Sequence, residues 1–297
     1  MIGRTIATVS LACATLGAAA MPQQTYSAQV DGVSVTVAVH DGRRGVSGLR
    51  AGDFELRDNG VPQHLTSVTV ESTPIDLTLV LDTSSSMSGG LLDRFVADVR
   101  AVERMLGETD RAALLTFSSS ARMAAPLRAR QALASAAELA PAGSTAFYQA
   151  LVAALLSETT AGRPHLVLAL SDGDDNISLL DGADVRDLAR RSETVLYVVL
   201  RGTLRASGSR VGWLAFKGPG DLSPLEEAAA ITGGEMRREK PDASAAALFK
   251  QVVDDFKAGY VLRYTPSGVA PGGWHDLAVT VKNARYTVRA RRGYFGG

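Results

Sequence analysis

Asp82, Ser84 and Ser86 are spaced D-x-S-x-S inside Ile75–Gly89 (IDLTLVLDTSSSMSG), directly after Leu77–Leu81, a run of apolar and β-branched residues. An apolar, β-branched run that stops at a carboxylate and continues in hydroxyls describes a buried strand delivering oxygen ligands to a loop. Oxygen ligands suit a hard cation. A divalent ion such as Mg²⁺ takes oxygen donors in near-octahedral geometry and gives up its waters reluctantly. One carboxylate with two neutral hydroxyls therefore leaves coordination positions open, and an open position can accept a carboxylate from a partner.

This pattern resembles the metal-ion-dependent adhesion site of von Willebrand factor type A domains, where three chain-distant loops share one ion. The resemblance places Asp82, Ser84 and Ser86 in the first loop and requires two more. Pro141-Ala142-Gly143-Ser144-Thr145 precedes an apolar helical stretch and matches the second loop through Thr145. The run Leu166–Leu170 ends in Ser171-Asp172-Gly173, and Asp172 matches the third-loop carboxylate. Each fragment alone also fits a turn or a helix cap; their order at strand ends and a helix start carries the match. The resemblance implies direct ligation by Ser84, Ser86 and Thr145. Asp82 and Asp172 would accept hydrogen bonds from metal-bound waters or ligate in a second state. Mg²⁺ is the expected cation, with Mn²⁺ or Ca²⁺ as alternatives.

Such loops need a scaffold, and from Pro74 the chain alternates strands with helices, the pattern of a mostly parallel sheet covered on both faces. Strands are expected at 77–81, 112–117, 165–170, 194–200 and 234–238, with a short edge strand at 122–127. Helices are expected at 91–106, 131–139, 146–156, 182–191, 222–231 and 243–256; the first carries Phe95, Val99, Val102 and Leu106 at helical spacing. The expected fold is α/β, a doubly wound, mostly parallel, Rossmann-like sheet. In such a sheet ligands bind at the carboxyl ends of the strands, where Asp82 and Asp172 stand.

Both flanks read as β. Val33, Val35, Val37 and Val39 alternate with Ser34, Thr36 and Ala38, and Asp58-Asn59-Gly60 supplies a tight turn after Phe54 and Leu56. Strands are expected again at 260–264, 277–281 and 286–291. About four N-terminal strands are too few for a sturdy sheet, so the C-terminal strands are expected to complete a small β-sandwich-like domain into which the α/β domain is inserted. The expected division is a signal peptide over 1–20, an N-terminal β segment over 21–73, a von Willebrand factor type A domain over 74–257 and C-terminal strands over 258–297. The arrangement is similar to an exported bacterial family related to von Willebrand factor type A, through Gly48-Leu49-Arg50-Ala51-Gly52-Asp53-Phe54 and Arg289-Ala290-Arg291-Arg292-Gly293-Tyr294-Phe295. That resemblance implies architecture and no activity.

The 297 residues hold 31 basic and 31 acidic side chains, a balance that gives no electrostatic case for nucleic acid or an anionic membrane surface. Arg4, an apolar stretch from Ile6 to Ala20 and the closing Ala18-Ala19-Ala20 describe an export signal cleaved after Ala20. The single cysteine, Cys13, lies inside it, so a mature chain has no thiol and no disulfide. Ser10-Leu11-Ala12-Cys13 resembles a lipoprotein cleavage box, but the leucine is one place too close to the cysteine. Periplasmic or extracellular export is the expectation, with a lipid-anchored form as the alternative.

Other chemistries fit less well. A phosphotransferase using Asp82 as nucleophile needs a carboxylate two residues on, where Ser84 stands. Asp172–Asn176 looks like a calcium loop of the helix-loop-helix type, but Ile177 and Ala183 occupy the positions of its glycine and bidentate glutamate. Asp174 and Asp175 are expected to cap a helix or to tune the ion from behind its ligands. The histidines at 40, 64, 165 and 275 lack metal spacing and are expected to be surface or satisfied core. Gly202–Asp221, with Trp213, Leu214 and Phe216, is long enough to be a functional loop. The expected function is a non-enzymatic module that binds a protein partner's Asp or Glu through the cation. The alternative is a structural or assembly component of the cell envelope in which the metal only stabilises the loops.

Overall fold

The computed structural model describes residues 32–42, 44–70, 74–129, 139–160, 163–201, 222–239, 246–257 and 259–296. The export segment, the 202–221 loop and all of the 131–139 helix but Leu139 lie outside the described residues.

The N-terminal strands are β1 (Val33–Asp41), β2 (Arg44–Gly45), β3 (Phe54–Asp58), β4 (Val61–Gln63) and β5 (Leu65–Val70). The alternating part follows as β6 (Asp76–Asp82), α1 (Leu91–Met105), β7 (Arg111–Phe117), β8 (Ala121–Ala129), α2 (Phe147–Leu155), β9 (His165–Ser171), α3 (Gly182–Ala189), β10 (Val195–Arg201), α4 (Ser223–Ile231), β11 (Met236–Glu239) and α5 (Ala246–Lys257). The chain closes with β12 (Tyr260–Tyr264), β13 (Gly273–Val281), β14 (Thr287–Ala290) and β15 (Gly293–Gly296).

The central sheet has the order β11-β10-β9-β6-β7-β8. Its neighbours are parallel except β7 and β8, so β8 is an antiparallel edge, where Pro126 is tolerated because one side of the strand needs no partner. Both faces are covered. Leu77, Leu79 and Leu81 of β6 pack with Phe95, Val99 and Val102 of α1 and Phe249, Val252 and Val253 of α5. The intervening Val80 lies in a second cluster with Phe147, Leu151 and Leu225 from α2 and α4. A strand buried on both sides reads as a continuous apolar run, which is why β6 and β9 show no alternation.

β6 and β9 are adjacent, yet β7 lies beyond β6 and β10 lies beyond β9. The winding reverses between them, and the connections after the two strands part to opposite sides, opening a crevice at their carboxyl ends.

At the other end of β6, fully buried Asp76 pairs with Arg163 at 2.9 Å and with Arg111. Burial alone would raise this carboxyl, but the two arginine bonds outweigh it and hold it below its ordinary value. His165 is satisfied core: its ring nitrogens lie 2.9 Å from Thr78 Oγ1 and 3.1 Å from Thr194 Oγ1.

The flanking strands of the two chain ends pair antiparallel with one another: β1 with β12 and β14, β5 with β12, and β3 with β13. Two sheets result, and Val35, Val37, Phe54, Leu56, Tyr260 and Leu277 lie in their shared buried cluster. Asn59 and Gly60 adopt φ of 46° and 80° in the turn after Asp58, the left-handed conformation that these residue types tolerate. Asp58 is fully buried; its Oδ2 accepts from Tyr264 (2.8 Å) and Tyr294 (2.9 Å), and His275 Nδ1 lies 2.7 Å from its Oδ1. The strand expected at 286–291 is β14, and the C-terminal motif continues past it into a further strand, β15, that was not expected. Between them the Arg292 amide donates to Ile231 O (2.8 Å) and Arg291 Nη2 to Ser192 O (3.3 Å), breaking the strand to grip the α/β part. Among the described residues no helix is long and apolar enough to cross a membrane.

Candidate metal centre

Asp82 ends β6 and is fully buried, and the next turn folds back over its carboxylate. The Ser84 amide donates to Asp82 Oδ1 at 2.9 Å, and the Ser84 and Ser86 hydroxyls share a hydrogen bond of 2.9 Å. The D-x-S-x-S spacing thus brings all three side chains of the first loop together. Ser84 is buried while Ser86 is exposed, so the set runs from the interior to the surface.

The second and third loops are bonded to the first and to each other. The Ser85 amide donates to Gly143 O (3.0 Å) and the Ala142 amide to Thr83 O (2.8 Å), joining first to second. Gly143 has φ of 81°, and a Cβ there would lie 2.7 Å from Ser119 Oγ. The Thr145 amide donates to Asn176 Oδ1 (2.9 Å), and the Asn176 amide returns a bond to Thr145 O (3.0 Å), joining second to third. Ser171 Oγ donates to Asp82 Oδ2 (2.7 Å), joining third to first. Thr145 is buried at the start of α2, and Asp172 follows β9 directly, its Oδ1 accepting from the Asp174 amide at 3.2 Å.

Burial pushes the Asp82 carboxyl up to about 6; the like charge of Asp172 adds to this, and the bonds from Ser84 and Ser171 only partly offset it. Among the described residues no basic side chain forms an ion pair with either carboxylate. Two acids near each other, one of them buried, without a counter-charge are what a cation would relieve. No group of three or more His, Cys, Asp or Glu gathers among the described residues. A site here would draw its remaining oxygens from Ser84, Ser86 and Thr145, a donor set that suits a hard ion.

Asp175 is a capping residue, for a helix that precedes it in the chain: its Oδ2 accepts from the Tyr148 amide of α2 (2.9 Å) and its Oδ1 from the Ser178 amide (3.0 Å). α3 is capped instead by Asp181, whose Oδ1 accepts from the Ala183 amide at 2.8 Å. Ser171 and Asn176 are the members that residue spacing did not single out. Ser171 carried one signal, a hydroxyl ending the apolar run beside Asp172; Asn176 carried none, since its partner Thr145 lies 31 positions away.

Residues 77–174 match the von Willebrand factor type A domain family, a span that holds all five candidate ligands. No curated protein matches the chain. Among solved structures, a von Willebrand factor type A protein from Catenulispora acidiphila superposes with a TM-score of 0.51 at 15% identity, over 91% of this chain and 64% of that one. Proximal thread matrix protein 1 from the mussel byssus gives 0.50 at 18% identity, over 65% of this chain and 48% of its own. A structure of the same mussel protein described as having a zinc-occupied MIDAS motif gives 0.49 at 18% identity, over 67% of this chain and 49% of its own. Identities this low establish the fold alone.

Proposed function

We propose, from the match of residues 77–174 to the von Willebrand factor type A domain family, that the chain is a cation-dependent binding module for a protein partner presenting Asp or Glu. The observation that carries this reading is the buried Asp82 carboxylate beside Asp172, bonded by the Ser84 and Ser171 hydroxyls and unneutralised by any basic side chain among the described residues. Ser84, Ser86 and Thr145 would hold the ion directly, and Asp82 and Asp172 would accept hydrogen bonds from its waters or ligate in a second state. The bound ion, Mg²⁺ first, supplies an electrophilic position that an anionic side chain can fill, because the shell around it carries little negative charge.

The chain's own residues do the positioning. Ser171 orients Asp82, Asn176 fixes the backbone of Thr145, and Gly143 lets the second loop pass close to Ser119. The role is non-enzymatic, since Ser84 stands where a phosphotransfer site needs its acid/base. Residues 1–20 support export as part of this proposal.

Titration calorimetry tests the reading. Wild type binds Mg²⁺ or Mn²⁺, and Asp82→Ala abolishes the binding while circular dichroism shows an intact fold; unchanged metal affinity in Asp82→Ala overturns the site.

A second reading, an envelope component whose metal only stabilises the loops, draws on the same Asp82–Asp172 repulsion, which a cation relieves with no partner present. Chelator separates the two: partner capture lost on chelation supports the first, and capture indifferent to it the second.

A further inference from the structure

The rim of the site is chemically lopsided. The first two loops present small exposed residues, among them Ser86, Gly89, Ala142 and Gly143. The third loop presents Ile177, 45% exposed, and Leu179, 92% exposed. This loop is held in place: the Ile177 amide donates to Thr145 O at 3.3 Å, Ser178 Oγ accepts from the Gln149 amide at 3.3 Å, and Leu180 packs against the core. Leu179 in water gains nothing for the fold on a loop held by two hydrogen bonds and the packing of Leu180, and two large apolar side chains on the loop that carries Asp172 offer a contact beside the proposed ion.

We infer that Ile177 and Leu179 are the specificity-determining rim of the site. They select a protein segment in which the Asp or Glu stands next to a large apolar side chain such as Leu, Ile, Phe or Met. The inference rests on the cation-dependent reading and narrows its partner. The occupant follows from continuity and charge. Ile177 follows Asn176, and the two residues bond the amide and the carbonyl of Thr145, so the apolar pair stands on the loop that borders a proposed ligand of the ion. The same loop carries Asp172 beside the buried Asp82, so a cation between them is what draws an acidic segment in, and the apolar contact then decides between acids.

The test uses an array of short immobilised peptides, each with one central Glu and varied neutral flanks, probed with the full chain in Mg²⁺. Wild type is expected to favour peptides with a large apolar neighbour to the Glu. The Ile177→Asn/Leu179→Asn double variant loses that preference, and Leu179→Asn alone reduces it. The best wild-type peptide binds the double variant about tenfold more weakly, the scale of losing one or two partly buried apolar contacts. Binding that needs Glu and Mg²⁺ but ignores the flanks overturns the inference and leaves the cation reading standing. Binding that survives both chelator and Gln in place of Glu overturns the cation reading and the inference with it. An array on which nothing binds overturns the inference, and the Mg²⁺ titration then decides the site by itself.

Discussion

The Ser171 hydroxyl lies 2.7 Å from Asp82 Oδ2 and donates to it, tying together the carboxyl ends of two adjacent parallel strands at the point where the sheet reverses its winding. Ser171 Oγ also accepts from the Gly173 amide at 3.1 Å, so one hydroxyl sets both the Asp82 carboxylate and the backbone that follows Asp172.

Ser171→Ala removes that link without touching a proposed ligand. Groups that orient metal-binding carboxylates typically cost about 10- to 100-fold in affinity when lost. We expect Mg²⁺ affinity in titration calorimetry to fall by about tenfold with the far-ultraviolet circular dichroism unchanged. An unaltered affinity would show that Asp82 is oriented by Ser84 alone.

The buried Asp82 carboxyl makes both metal binding and metal-free stability depend on pH. With a folded value of about 6, above the ordinary 3.8, folding favours the protonated form. The contribution of this carboxyl to metal-free stability is therefore greatest below about pH 4, falls as pH rises to about 6 and stays lower above it, by about 2–3 kcal/mol. Metal binding runs the other way: protons compete below about pH 6, so Mg²⁺ affinity rises from pH 5 to pH 7.5 and binding releases a proton. Thermal melts and calorimetry in buffers of different ionisation enthalpy read both. In Asp82→Asn this descent between pH 4 and 6 disappears.

Gly143→Ala probes the second loop. A Cβ at φ of 81° is strained in itself and lies 2.7 Å from Ser119 Oγ, which accepts from the Ser144 amide. A loss of about 1–3 kcal/mol in urea unfolding is expected, together with weakened Mg²⁺ binding, because the loop that carries Thr145 must shift. Unchanged metal affinity would mean that Thr145 takes no part in holding the ion.

Asp58→Ala addresses the flanking sheets. It strips the acceptor from Tyr264 and Tyr294 and the partner from His275, all buried. Losing one shared acceptor of this kind costs about 3 kcal/mol or more, measured as a lower urea midpoint. Asp58→Asn, which keeps an acceptor, is expected to cost less.

Sequence by itself determined the elements and their order. The run of apolar and β-branched residues before Asp82, the helical spacing of Phe95, Val99 and Val102, and the valine alternation in β1 are local signals, and burial in a strand or a helix face is what produces them. The same holds for the D-x-S-x-S spacing, since residues two apart share a loop and need no tertiary contact to meet. Only the tertiary structure decided which distant groups complete the site and the flanking sheets. Ser171 lies 89 positions from Asp82, Asn176 31 from Thr145 and His275 217 from Asp58. Such pairings leave no periodic trace, because they depend on which strands become neighbours. The role of Asp175 turned on this as well. A carboxylate before a helix reads as its cap, but the helix amide it accepts from, that of Tyr148, belongs to α2, brought beside it by the sheet and not by the chain. The placing of β6 next to β9, with the chain leaving them in opposite directions, is what gathers the loops after Asp82 and Ser171 around one crevice, and sheet order is not written in any single stretch of residues.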